Sequence, residues 1–144
     1  MATQEQWLTR DLCKRLAEAR LEEARKLLEA GLSPGAYYIA GYAIELALKG
    51  AISRLFKPDV IPSPRFVREV YSHDLENLIN LAGLRAELAS EMALSDKFAA
   101  NWLLVREWSE QSRYELTATE DARHLLEAID HPNEGVFAWI RNHW

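Results

Sequence analysis

The sequence of 144 residues is poor in cysteine and in the residues that interrupt regular structure. Its single cysteine, Cys13, excludes an internal disulfide and a cysteine-rich metal site, and it agrees with a reducing cytoplasm. Six glycines and five prolines are too few for a collagen-like or low-complexity chain. We therefore expect a globular protein with one domain over residues 1–144.

Positive charge and long apolar runs are also scarce. The chain has 17 Lys and Arg against 22 Asp and Glu, and this net charge of -5 disfavours a general nucleic-acid coat protein. The most apolar stretch, 35–52, contains Glu45 and Lys49, whereas a membrane-spanning helix needs about 20 mainly apolar residues. Residues 1–11 are polar and do not resemble a secretion signal. These absences predict a cytoplasmic protein that does not enter a membrane.

Helical periodicity is the pattern that the sequence does contain. Apolar residues recur at intervals of three and four, and alternating strand patterns are absent, which favours an all-α, up-and-down bundle of four to five helices. The predicted helices cover 3–31, 33–55, a short segment from Ser72 or Asp74 to about Gly83, 95–114 and 117–130, with a further turn at 85–92 and a final apolar piece at 136–144.

Local signals mark the boundaries of these helices. Residues 3–6 and 117–120 have the spacing of capping boxes, and Ser33 precedes Pro34 as an N-cap precedes a first helical residue. Three prolines between Lys57 and Tyr71 predict a loop of about fifteen residues, because proline removes a hydrogen-bond donor and biases its predecessor away from helix.

The second helix is apolar around most of its circumference, and alanine and glycine keep its sides thin. Such a helix is expected at the centre of the bundle or in a subunit interface. Glu45 and Lys49 interrupt it at a spacing of four, in the order that favours an ion pair. They form a solvated stripe, a buried ion pair or part of a pocket.

Three ordered segments resemble the HEPN domain family. They are AYYIAGYAIELALKG at 36–50, YSHDL at 71–75 and WSEQSRY at 108–114. The resemblance implies a small helical bundle that is usually dimeric and is frequently encoded beside a minimal nucleotidyltransferase in toxin-antitoxin or defence systems. It also implies that some relatives are metal-independent ribonucleases, which act without a metal or cofactor.

The ribonuclease members carry an Arg, four to six intervening residues and a His near the end of the fourth helix. Arg113 occupies the matching position, but the next histidine along the chain is His124, so the sequence departs from the catalytic pattern. Arg68 and His73 have the required spacing in another segment, where chance alone predicts about one such match.

A candidate ligand site follows from the resemblance and from the charged residues near these segments. The resemblance implies that Glu45 pairs with Arg113 across the groove between the second and fourth helices. His73 and Asp74 are either a proton-transfer pair or an ordinary helix start. The expected ligand-binding residues are Glu45, Lys49, His73, Asp74, Arg113 and Tyr114.

Two functions remain open for this site. The favoured one is a non-catalytic binding or regulatory module of a toxin-antitoxin or defence-type system, which acts as a homodimer and pairs with a nucleotidyltransferase or binds a nucleotide. The alternative is a divergent metal-independent ribonuclease that cleaves RNA with Arg113 and either His73 or His124.

Overall fold

The computed structural model describes residues 7–144, and these residues form α-helices and one 3-10 helix without a β-strand. The all-α prediction is therefore confirmed. The elements are α1 (Arg10–Glu29), α2 (Ser33–Ser53), α3 (Pro64–Val70), α4 (Leu75–Leu81), α5 (Arg85–Leu94), α6 (Asp96–Arg106), the 3-10 helix (Glu110–Tyr114), α7 (Thr119–Asp130) and α8 (Val136–Arg141). The four longest are α1, α2, α6 and α7, and the described residues contain more helices than the expected four to five because short helices join them.

Helix α2 lies at the centre of the fold, packed against α1, α4, α7, α8 and the 3-10 helix. Fourteen of its 21 residues are buried. The apolar circumference of α2 is thus covered within the chain, which confirms the central position and leaves no need for a partner subunit to cover it. Gly41 is required here because a Cβ at this position would overlap the indole ring of Trp108.

The predicted fourth helix ends earlier than expected. Helix α6 stops at Arg106, the chain turns through Trp108, and a separate 3-10 helix begins after Ser109, whose side chain accepts a hydrogen bond from the amide of Gln111. Trp108 is buried against α2, and this contact redirects the chain. The prediction of one helix to Tyr114 is wrong.

The proline-rich segment contains a helix that the sequence analysis missed. Ser63 caps α3 by accepting a hydrogen bond from the amide of Phe66, and Pro64 occupies the first helical position, where its missing amide hydrogen costs nothing. The predicted loop from Lys57 to Tyr71 is therefore partly wrong. Helix α5 also extends over ten residues, more than the predicted turn.

The helix caps agree with the sequence at some positions only. The capping box at 3–6 lies outside the described residues, and α1 begins after Thr9, whose hydroxyl accepts a hydrogen bond from Leu12. Gly31 ends this helix with φ of 77°, as glycine permits.

The predicted N-caps Ser33 and Thr117 are wrong, because neither side chain caps a helix. Ser33 is the first residue of α2, and its hydroxyl donates to the Thr119 hydroxyl at 2.9 Å, which ties α2 to α7. Helix α7 begins after Ala118 without a side-chain cap, so Thr117 does not cap it. None of the helices described between residues 7 and 144 is both long and apolar enough to cross a membrane.

Candidate functional site

A buried ion pair on α2 forms the inner part of the candidate site. The side chains of Glu45 and Lys49 are 2% and 9% exposed, and Lys49 Nζ donates to Glu45 Oε2 at 3.1 Å. Because α2 is surrounded by other helices, the i, i+4 pair is enclosed with it. The solvated-stripe alternative is therefore wrong, and the pair is buried.

His73 extends this pair towards solvent from the turn before α4. Its Nδ1 lies 2.9 Å from Glu45 Oε1, and its Nε2 lies 3.2 Å from Glu110 Oε2. Both ring nitrogens donate to these carboxylates only when the imidazole is protonated. In that state two carboxylates, one ammonium and one imidazolium balance to zero charge across the network of Lys49, Glu45, His73 and Glu110.

Asp74 stands beside His73 in the chain but has a different partner. Its side chain accepts a hydrogen bond from the amide of Asn77 at 3.0 Å and caps α4, as the sequence analysis allowed. The carboxylates that contact the imidazole of His73 are those of Glu45 and Glu110.

Arg113 lies on the 3-10 helix and is fully exposed. Its guanidinium sits 5.0 Å from the centre of the Tyr114 ring. The Tyr114 hydroxyl foremost, then the hydroxyl of Tyr38 and the charge of Glu110, raise the pKa of Arg113 above its ordinary value.

The expected pairing of Glu45 with Arg113 is wrong, because the structure pairs Glu45 with Lys49 and His73 instead. The physical reason is the turn at Trp108. It ends α6 before Arg113, which is carried to the surface on the 3-10 helix.

His73 opens into a cleft of about 390 Å³ between the start of α4 and the connection from α6 to the 3-10 helix. Among the described residues, four carboxylates and one arginine line it. The carboxylates belong to Asp74, Glu76, Glu107 and Glu110, and the arginine is Arg106, whose Nη1 lies 3.6 Å from Glu76 Oε1. The cleft is therefore acidic.

Glu110 and Arg106 were missed by the sequence analysis. Glu110 lies on a five-residue 3-10 helix, too short for a periodic pattern to identify the side chains it presents. Arg106 occupies the last turn of α6, where a basic residue is expected for the helix dipole alone.

His124 belongs to a different cleft, of about 460 Å³, beside α7. It is exposed, and its Nε2 lies 3.8 Å from Glu120 Oε2. Tyr37, Leu104 and Leu116 also line this second cleft. The structure therefore does not bring the two candidate histidines into one cleft.

No group of three or more His, Cys, Asp or Glu side chains between residues 7 and 144 is arranged to hold a metal ion. Among the candidate groups, Arg113 and Arg106 are the exposed or cleft-lining cations suited to an anionic ligand.

The described residues thus form an all-helical fold with a buried charged network on its central helix. The model of the HEPN domain family matches residues 10–141, and the chain belongs to that family. The resemblance noted on residues 36–50, 71–75 and 108–114 is thus confirmed. Comparison with curated proteins and with solved structures gives no match.

Proposed function

We propose that this HEPN protein is a non-catalytic binding and regulatory module. It acts as a homodimer in the cytoplasm and pairs with a nucleotidyltransferase or binds a nucleotide in a toxin-antitoxin or defence-type system. The observation that carries the proposal is the arrangement of His73 and Arg113. Both nitrogens of His73 contact carboxylates, while Arg113 lies exposed on the 3-10 helix against Tyr114.

The surroundings of His73 oppose RNA cleavage. A general base needs a ring nitrogen with a free electron pair within reach of the ribose hydroxyl. When the imidazole of His73 is protonated, its two nitrogens donate to Glu45 and Glu110, and neither then has a free electron pair. The four carboxylates of the cleft also repel a phosphodiester, whose binding to protein depends on neutralisation by Lys and Arg.

The dimer is supported by a surface that we call the Arg113 ridge, formed by Arg113, Tyr114 and Leu116. Tyr114 is 74% exposed and Leu116 is 95% exposed. The cleft beside the ridge carries the carboxylates of Glu107, Glu115 and Asp121. A cationic, apolar ridge beside an acidic cleft is self-complementary, as a two-fold symmetric dimer requires.

The same ridge has the chemistry to bind a nucleotide. The planar guanidinium of Arg113 matches a phosphate in a bidentate geometry. The neighbouring Tyr114 ring offers a face on which a base can stack.

Light scattering tests the dimer. We expect a solution mass of twice 16.5 kDa for the unaltered chain and a monomer for Leu116→Asp, because the carboxylate would enter the seam. The control is Leu94→Asp on α5, where the side chain is also largely exposed, at 83%, and this variant should stay dimeric. A monomeric unaltered protein, or a dimer that tolerates Leu116→Asp, contradicts the proposed interface.

Calorimetric titration with ATP tests the nucleotide. Arg113→Ala should weaken ATP binding by about tenfold or more, the loss expected for one charge-assisted contact, whereas Arg123→Ala on α7 should not. Equal affinities for the two variants would contradict a role for Arg113.

Pairing with a partner enzyme is tested by capture from the native host with the immobilised protein. Retention of a protein that carries a nucleotidyltransferase active-site motif supports the proposal. The proposal is contradicted if the Leu116→Asp variant retains that protein and the unaltered chain does not.

A divergent ribonuclease is the second candidate, and one observation favours it. The buried Glu45 orients the Nδ1 of His73, as a carboxylate orients the histidine of a catalytic pair. Rotation of the Glu110 side chain would release Nε2 into the cleft. Arg106, which lines that cleft, is then better placed than Arg113 to hold a phosphate beside His73.

A further inference from the structure

A third cavity, of about 470 Å³, lies between the beginning of α1, the end of α2 and α3. Its walls are mainly apolar and include Ile52, Phe56, Val67 and Val70. The volume falls in the range of small-molecule sites, which are typically apolar with a few polar groups that fix orientation. The cavity shares Lys49 with the buried ion network, but none of its lining residues belongs to the His73 cleft or to the Arg113 ridge.

The charge that lines the cavity is of one sign. Lys49 and Arg10 are its charged lining residues in the described part of the chain, and no carboxylate joins them there. This is unexpected for a protein with 22 acidic residues and a net charge of -5. The guanidinium of Arg10 already donates to the backbone oxygen of Trp144 at 2.5 Å, so Lys49 is the cation that would attract a negatively charged group to this cavity.

Lys49 is the buried charged residue of the cavity lining. It is about nine-tenths buried, and an ammonium has three N–H donors. Within residues 7–144, Glu45 Oε2 is the one acceptor in hydrogen-bond contact with Lys49. The other N–H donors of a buried ammonium beside a cavity favour the binding of a ligand that offers them an acceptor. The reason is that a buried charged donor without a hydrogen bond costs free energy.

Cys13 also lines the cavity, next to Lys49. Burial raises the pKa of the Cys13 thiol, against a smaller lowering by Lys49, so the thiol is neutral at pH 7. Cys13 therefore adds no negative charge to compete for the ammonium. We propose that this cavity binds a small amphipathic anion whose carboxylate pairs with Lys49 and whose hydrocarbon body lies among Ile52, Phe56 and Val67.

The proposed site is connected to the His73 cleft through a shared carboxylate. Glu45 accepts from Lys49 with one oxygen and contacts His73 Nδ1 with the other. An anion that binds Lys49 competes with Glu45 Oε2 for the ammonium. Occupancy of the cavity therefore changes the hydrogen bonding of His73 without direct contact between His73 and the anion.

Calorimetric titration of the full chain with decanoate, 1-decanol and decyltrimethylammonium tests the charge preference, with the two ions kept below their micellar concentrations and the alcohol below its solubility limit. The affinity for decanoate should be at least about tenfold higher than the affinity for decanol, and decyltrimethylammonium should bind most weakly of the three. No decanoate binding, or equal affinity for the three head groups, would overturn the proposal.

Val67→Glu tests the location, because Val67 is partly exposed and a carboxylate there repels the ligand without disturbing the buried ion pair. Val60→Glu is the matched control at an exposed position outside the cavity lining. Decanoate affinity should fall about tenfold for Val67→Glu and stay unchanged for Val60→Glu. Equal effects of the two substitutions would contradict binding in this cavity.

Histidine ring resonances give an independent measure of the contact with Lys49. Saturation with decanoate should shift the ring signals of His73, which shares Glu45 with Lys49, and leave those of His131 unchanged. His131 is a suitable reference because its Nδ1 accepts from the amide of Glu134. Tight decanoate binding without a shift at His73 would contradict pairing of the carboxylate with Lys49.

Discussion

Substitution of Glu45 by Gln should destabilise the fold far more than loss of a surface charge. The Glu45 carboxylate is 2% exposed and contacts both Lys49 and His73. Glutamine preserves its shape but leaves the Lys49 ammonium buried without a counter-charge. Removal of one partner from a buried pair typically costs about 3–5 kcal/mol. At about 2–4 °C per kcal/mol for a chain of this length, the melting temperature should fall by about 10 °C.

Urea unfolding followed by circular dichroism measures this loss. The matched control is Glu69→Gln, which removes the carboxylate of the exposed Arg65–Glu69 pair and should change the free energy of unfolding by less than about 0.5 kcal/mol. Addition of Lys49→Met to Glu45→Gln should recover much of the loss, because both buried charges are then removed. Equal effects of Glu45→Gln and Glu69→Gln would refute the reasoning, as would a double variant less stable than Glu45→Gln alone.

Three further predictions concern the core. Gly41→Ala should destabilise the fold by about 1–3 kcal/mol in the same urea assay, because the methyl group of the alanine would overlap the Trp108 ring. An unchanged free energy of unfolding would contradict this prediction and show that Trp108 repacks. Cys13 should resist iodoacetamide at pH 8 in the folded protein, because the residue is 1% exposed and burial raises the pKa of its thiol above 9.0. Labelling of the folded protein at the rate of the unfolded chain would contradict the burial of Cys13. Because the thiol of the unfolded chain ionises first, stability should also fall as the pH rises through 9.0, and Cys13→Ala should reduce this fall.

The sequence was sufficient to predict the helical class, and it predicted that α2 is buried either at the centre of the bundle or in a subunit interface. Its apolar circumference required burial on all sides, and the surrounding helices provide it. The spacing of Glu45 and Lys49 also predicted their contact. Spacing within one helix could not show that the pair is buried, because burial depends on which helices pack against that face.

The remainder of the site depends on contacts between distant parts of the chain. The direction of Arg113 follows from the packing of Trp108 on Gly41, and neither residue carries a local signal of that contact. Ser33 was predicted as a cap from its neighbour Pro34, but its hydroxyl bonds to Thr119 on α7. In each case tertiary packing decided between alternatives that local sequence left open.

The most direct test of the central claim is a digestion assay with labelled single-stranded RNA and an excess of the purified protein, without added metal. We expect the RNA to remain intact, because Glu45 and Glu110 hold both nitrogens of His73. The variant Glu110→Gln, which withdraws the outer carboxylate charge, provides the sensitive comparison and should also leave RNA uncut in the acidic cleft. Cleavage by the unaltered protein that disappears in His73→Ala would contradict a non-catalytic module and establish the ribonuclease in its place.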